Sequence, residues 1–306
     1  MKHTIKLFWL VPLFFGAAVL IYSCNKSSDV SSEVETVEKA EDLDIQNLVN
    51  AIEQLNASRF GEIETKAWNW RNIFAFGVDG AAGLLTALST QWWTCVGSAV
   101  AASLGFVQLW NLLDTTEQLT PNEQSVIIPE NYILDATNPQ DAGYLHNIII
   151  CDLFNEYGDE LGQMSLDSLM WYISLNIADY TNTPVSFIYS DLQDQQEIVE
   201  ACFVDIGYCT TLEDYIDDLS ETFPDSASSL EVFSPILSGI EIAAANGEEE
   251  DYVDDVVTLI QTANVPLDFK TNLLAGVKIA AASEQLWQVS CGGVIEDYPG
   301  GGVINP

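Results

Sequence analysis

Any Ser-His-Asp or Cys-His catalysis in this chain has to pass through His146, because the other histidine, His3, sits near the N-terminus. Such chemistry needs a nucleophile within hydrogen-bond reach of the imidazole and a carboxylate that orients the ring from behind. His146 lies in Gly-Tyr-Leu-His-Asn, ahead of three isoleucines. Cys151 follows five positions later, off the same helix face, and no G-x-S-x-G elbow occurs. A lone histidine beside an apolar run is expected to be a core or capping residue. Zinc needs about four clustered ligands, which one histidine and scattered cysteines do not supply. Walker and dinucleotide-binding loops are also missing from the sequence.

Carboxylates are the abundant resource. Asp214, Asp217 and Asp218 fall within one helical turn, as do Asp251, Asp254 and Asp255. That spacing puts two acids on one face, where Ca²⁺ could be shared. No EF-hand loop accompanies either set, so a solvated face is the expected role and no other cofactor is expected. A glycosidase-type carboxylate pair is not singled out by any spacing. Besides Cys24 there are five cysteines, Cys95, Cys151, Cys202, Cys209 and Cys291, and an odd number cannot all pair within the chain. Cys202 and Cys209 flank a helix end at Gly207 and are the expected disulfide in an oxidising compartment. Cys95, inside an apolar helix, is expected as a buried thiol.

Nine Lys+Arg against 46 Asp+Glu give a formal charge of −37, and no Lys or Arg occurs between Arg71 and Lys270. Such a polyanion is repelled by nucleic acid and by anionic headgroups, which removes nucleic-acid binding from consideration. With 48% hydrophobic residues the chain still buries a core and is not an acidic disordered polymer.

The elements that must position these residues centre on residues 73–113, whose only charge is Asp79. This stretch divides into two apolar halves of roughly 18–20 residues, each long enough to cross a bilayer. Ala75, Asp79, Gly83 and Ala87 are spaced at four, as are Gly97, Ala101 and Gly105. Each set is a small-residue ridge on one helix face, which permits close approach of backbones. A helical hairpin turning near 89–94 is the expectation, and Asp79 on its ridge needs a partner, with His146 and Arg71 as candidates.

An amphipathic helix over 43–55 precedes the hairpin. The prolines of 119–140 mark a linker. The spacing then predicts helices over 141–157, 165–181, 186–206, 211–221 and 226–246. Another starts at the acidic run from Glu248, and the last covers 267–289. The fold class expected is therefore all-α, a multi-helix bundle around a central Gly/Ala-rich hairpin. Residues 43–289 form the helical domain (43–118, linker 119–140, then 141–289), with a Gly-rich tail over 290–306.

Residues 1–23 read as a secretory signal, with Lys2, His3 and Lys6 before an apolar run. The run ends at Leu-Ile-Tyr-Ser-Cys, which looks like a bacterial lipobox with Cys24 as the lipidated residue. By that resemblance Cys24 carries acyl chains, palmitate among them, which together give stable anchoring. Residues 24–42 are polar and Ser/Glu-rich, a flexible tether. An acidic tether directly after the lipid cysteine is similar to surface-export signals in lipoproteins of the Bacteroidota.

Three further motifs resemble a loosely defined group of helical lipoproteins of the Bacteroidota. They are W-x-x-I…D-G-A-x-G (Trp70, Ile73, Asp79, Gly80, Ala81, Gly83), G-Y-x-H-N (Gly143, Tyr144, His146, Asn147) and A-A-x-x-x-x-W (Ala281, Ala282, Trp287). Trp92, Trp93, Thr94 and Cys95 depart from that group's Gly/Ala run. The resemblance implies no particular activity. It does imply that Asp79, His146 and Asn147 form one polar network inside a helical fold.

The expected function is a non-enzymatic binding or interaction module on the outer membrane, contacting the membrane through its lipid anchor, with its protein or small-molecule partner unspecified. Two alternatives stand beside it. One is a membrane-active protein that inserts residues 73–113, whose tryptophans resemble an aromatic belt. The other is a carboxylate-dependent hydrolase.

Overall fold

The computed structural model describes residues 43–61, 70–87, 91–113, 120–122, 141–204, 209 and 211–287. Cys24, the tether, most of the 119–140 linker, Cys291 and the tail lie outside them, as does the side chain of Arg71. The chain divides into two units after Asn47. Of the first, only 43–47 are described, and they are helical.

The described residues are helical, with two short 3-10 segments and no strand. Helix α1 ends at residue 60. It is followed by α2 (Trp70–Thr86), α3 (Trp92–Leu113), α4 (Ala142–Tyr157), α5 (Leu166–Thr181), α6 (Val185–Gln193), α7 (Gln196–Val204), α8 (Leu212–Thr222), α9 (Ala227–Asn246), α10 (Glu249–Thr262) and α11 (Leu267–Leu286).

Local signals explain the ends. Ser165 caps α5 by accepting the amide of Ser168, and Thr211 with Asp214 forms a reciprocal capping box on α8. Gly247, at φ 71°, closes α9 in the left-handed conformation that favours glycine. Glu249, Glu250 and Asp251 occupy the first turn of α10, at the positive end of its dipole.

The apolar stretch is enclosed. Every described side chain from Ala75 to Thr86 is buried, and so is every one from Thr94 to Val107. Such helices, apolar on all sides, belong at the centre of a bundle. Their glycines do not simply zip α2 to α3, however. A β-carbon at Gly80 would lie 2.6 Å from the Phe233 ring, 2.8 Å from Ala280 and 3.2 Å from the Gly276 carbonyl oxygen. One at Gly276 would lie 3.0 Å from the Gly80 carbonyl oxygen. The closest backbone approach of α2 is therefore to α11. Gly143 of α4 seats against the Lys278 carbonyl of the same helix. Between α2 and α3 the Cys95 thiol donates to the Gly83 carbonyl at 3.1 Å. The α3 ridge instead receives side chains: Leu192 and Ile177 at Gly97, and the Phe203 ring at Gly105.

The single helix expected over 186–206 is two, broken at Asp194 and Gln195. The two helices meet different glycines of α3, Leu192 at Gly97 and Phe203 at Gly105.

Candidate functional site

Four of the central helices each bring polar side chains to one buried point. Asp79 comes from α2, Ser103 from α3, His146 and Asn147 from α4, and Ser283 from α11. Asp79 and His146 are both 0% exposed. Ser103 donates its hydroxyl to Asp79 Oδ2 at 2.8 Å, and Ser283 donates to the same oxygen. His146 Nε2 lies 3.4 Å from that oxygen as well. Trp287, just past α11, donates its indole N–H to Ser103 Oγ at 3.1 Å. The direction of this chain is forced, because indole only donates and a carboxylate only accepts.

Asn147 fixes the histidine. Its Nδ2 donates to the Ala282 carbonyl at 2.7 Å, so its Oδ1 is left to accept from His146 Nδ1 at 2.9 Å. With Nδ1 donating, the ring turns Nε2 toward Asp79 Oδ2. The structure thus brings Asp79, His146 and Asn147 into one network. Ser103, Ser283 and Trp287 belong to it too, and the sequence carried little sign of them. Hydroxyls at positions 103 and 283 interrupt no pattern, and the A-A-x-x-x-x-W motif marked only Ser283's neighbours.

The ingredients resemble a triad, but the connectivity does not. In a triad the serine hydroxyl is hydrogen-bonded to the imidazole, with the carboxylate behind it. Here both serines and the imidazole converge on one carboxylate oxygen, and all are closed to solvent. Asp79 Oδ1 and His146 Nε2 make no conventional hydrogen bond. The arrangement ties four helices together at a point closed to solvent.

A second cluster joins Glu241 of α9, Glu249 of α10 and Glu284 of α11. Burial pushes both Glu241 and Glu249 up to about 8, and the Glu284 carboxyl adds to each shift. Glu249 also shares a side-chain hydrogen bond with Glu284, while Gln285 Nε2 donates to Glu249 Oε2 at 3.4 Å. Buried carboxyls of this kind keep a proton near neutral pH.

Cys202 and Cys209 do not form the expected disulfide. Cys202 is fully buried on α7, where burial raises its thiol far above the usual range. Cys209 is partly exposed, and its sulfur lies 3.4 Å from Asp218 Oδ2. The two thiols stand in different environments, one buried and one partly exposed. Cys95 is buried, and its thiol is pushed up to about 12.

The paired aspartates have other work. Asp214 caps α8, Asp255 forms an ion pair with Arg59, and Asp254 lies 3.9 Å from Lys278 Nζ. Among the described residues no group of three or more His, Cys, Asp or Glu side chains is arranged to hold a metal ion. Comparison with family models, with curated proteins and with solved structures returns no match to this chain.

Proposed function

We propose that this chain is a lipid-anchored, non-enzymatic interaction module of the outer membrane, held by acyl chains on Cys24 and displaying its acidic helical unit on the tether. The observation that carries the reading is the closure of the Asp79 cluster: its histidine, carboxylate and serines are sealed in the core. What the chain then offers other molecules is its exterior, which is acidic, since Lys and Arg do not occur between Arg71 and Lys270. An exterior of one sign favours partners of the opposite sign and repels nucleic acid. The lipobox-like run before Cys24 supports the anchor and the envelope location.

Insertion of residues 73–113 into a bilayer draws support from one helix, Trp92–Trp110, which has the length and apolarity to span. Its burial, 78% of that window, favours a core helix instead. Metabolic labelling with palmitate, followed by membrane fractionation, tests the anchor. Wild type should label and sediment with outer membranes, and Cys24→Ala should do neither. Equal sedimentation of the two would overturn the reading.

A further inference from the structure

Helix α5 buries one face, through Leu169, Met170, Ile173 and Ile177. Its opposite face carries Asp167, Trp171, Leu175 and Asp179, each four residues from the next and all exposed. Trp171 is 42% and Leu175 37% exposed. Single exposed apolar residues are ordinary. A tryptophan and a leucine in line, bracketed by carboxylates, make an amphipathic stripe about 18 Å long.

The stripe is also held in shape. The Trp171 ring meets the Tyr189 ring of α6 edge-on at 5.2 Å. Tyr189 Oη donates to Asp167 Oδ1 at 2.6 Å, and Gln193 Nε2 donates to the same oxygen at 3.1 Å. Both bonds use Oδ1, which leaves Oδ2 to accept from a partner. Ordering an aromatic and a carboxylate beforehand lowers the entropy lost on binding.

We infer that this α5 stripe, with Tyr189 and Gln193 beside it, is the docking surface for a basic polypeptide segment in which apolar side chains lie between two cationic ones. The inference rests on the reading of the chain as an interaction module and names the class of its partner. Charge complementarity selects the occupant: two aspartates end the stripe, and the chain's own cations are confined to residues outside 72–269. A guanidinium can lie over the indole of Trp171 and pair with Asp167. In an extended partner, cations five or six residues apart match the stripe's length, at about 3.3 Å per residue.

The test uses the full chain in detergent and three synthetic hexapeptides, followed by fluorescence anisotropy. The first has arginine at both ends and leucines within, the second has glutamate in place of arginine, and the third has serine in place of leucine. The first should bind, more weakly as salt rises, and the other two should bind at least about tenfold more weakly. Trp171→Ala and Leu175→Ser should each lower affinity for the first peptide about tenfold at a temperature where circular dichroism shows both variants folded. Phe187→Ser, two residues from Tyr189 and so on the opposite side of α6, should change nothing.

Equal binding of the arginine and glutamate peptides, or full binding by the Trp171→Ala chain, overturns the inference. So does a neutral oligosaccharide that binds in place of the peptide and is lost with Trp171→Ala. That last outcome would leave the interaction module standing with a different ligand. Failure of the module reading shows separately, in the Cys24→Ala fractionation.

Discussion

His146 Nε2 stands 3.4 Å from Asp79 Oδ2, and neither side chain reaches solvent. The contact joins α2 to α4, and through Ser103 and Ser283 the same oxygen joins α3 and α11. Truncating one member of a buried polar network leaves the others unsatisfied, which costs about 1–3 kcal/mol. Asp79→Ala and His146→Ala should each lose that much in urea melts, and the double variant should lose less than their sum. Strict additivity, or unchanged stability in either single variant, would refute the lock.

Close packing makes a second prediction. Gly143→Ala and Gly80→Ala force a methyl group into atoms of α11, and such overpacking costs about 1–3 kcal/mol. A β-carbon at Gly162 would meet nothing within 4 Å, so Gly162→Ala should stay within about 0.5 kcal/mol of wild type. Thermal melts of the three variants compare a filled seat with an open one.

The glutamate cluster sets a pH dependence. Glu241 and Glu249 titrate near 8 in the folded chain and near their ordinary value of 4.5 when unfolded. Between those limits the folded state holds protons that the unfolded state has released, so stability from these groups falls as pH rises through the window. Below 4.5 both states are protonated, and above 8 the loss is complete. Glu249→Gln should raise the melting midpoint at pH 8, leave it nearly unchanged at pH 4.5 and flatten the slope between. A parallel shift at both values would contradict this.

Thiol reactivity gives a fourth. Burial disfavours the thiolate of Cys95 and Cys202, so both should resist iodoacetamide in the folded chain, while the part-exposed Cys209 is alkylated before either. Peptide mass mapping reads the order directly. Rapid labelling of Cys202 under native conditions would show that α7 opens.

Much of this architecture was legible in the residues. Asn246-Gly247, Ser165 and Pro266 mark helix ends because capping and left-handed backbone are local properties. Asp79 could be recognised as needing a partner because a lone charge in a long apolar stretch has no other means of support. Neither the break at Asp194 nor the Gly80–Gly276 contact was legible. Asp194 and Gln195 are not helix breakers, and Gly80 and Gly276 meet only through the tertiary fold, 196 residues apart. The glutamate cluster has no sequence pattern either, since it assembles from three helices.

The seat between α2 and α11 carries a temporal consequence. Asp79 and Ser283 are 204 residues apart in the chain. At synthesis rates of roughly 5–20 residues per second, α2 and α3 exist for about 10–40 s before α11 can cover them. For that interval the face of α2 that seats α11 has no native cover, while Ser103 and His146 are already made and can meet Asp79. The core of this unit is therefore completed only when α11 is made.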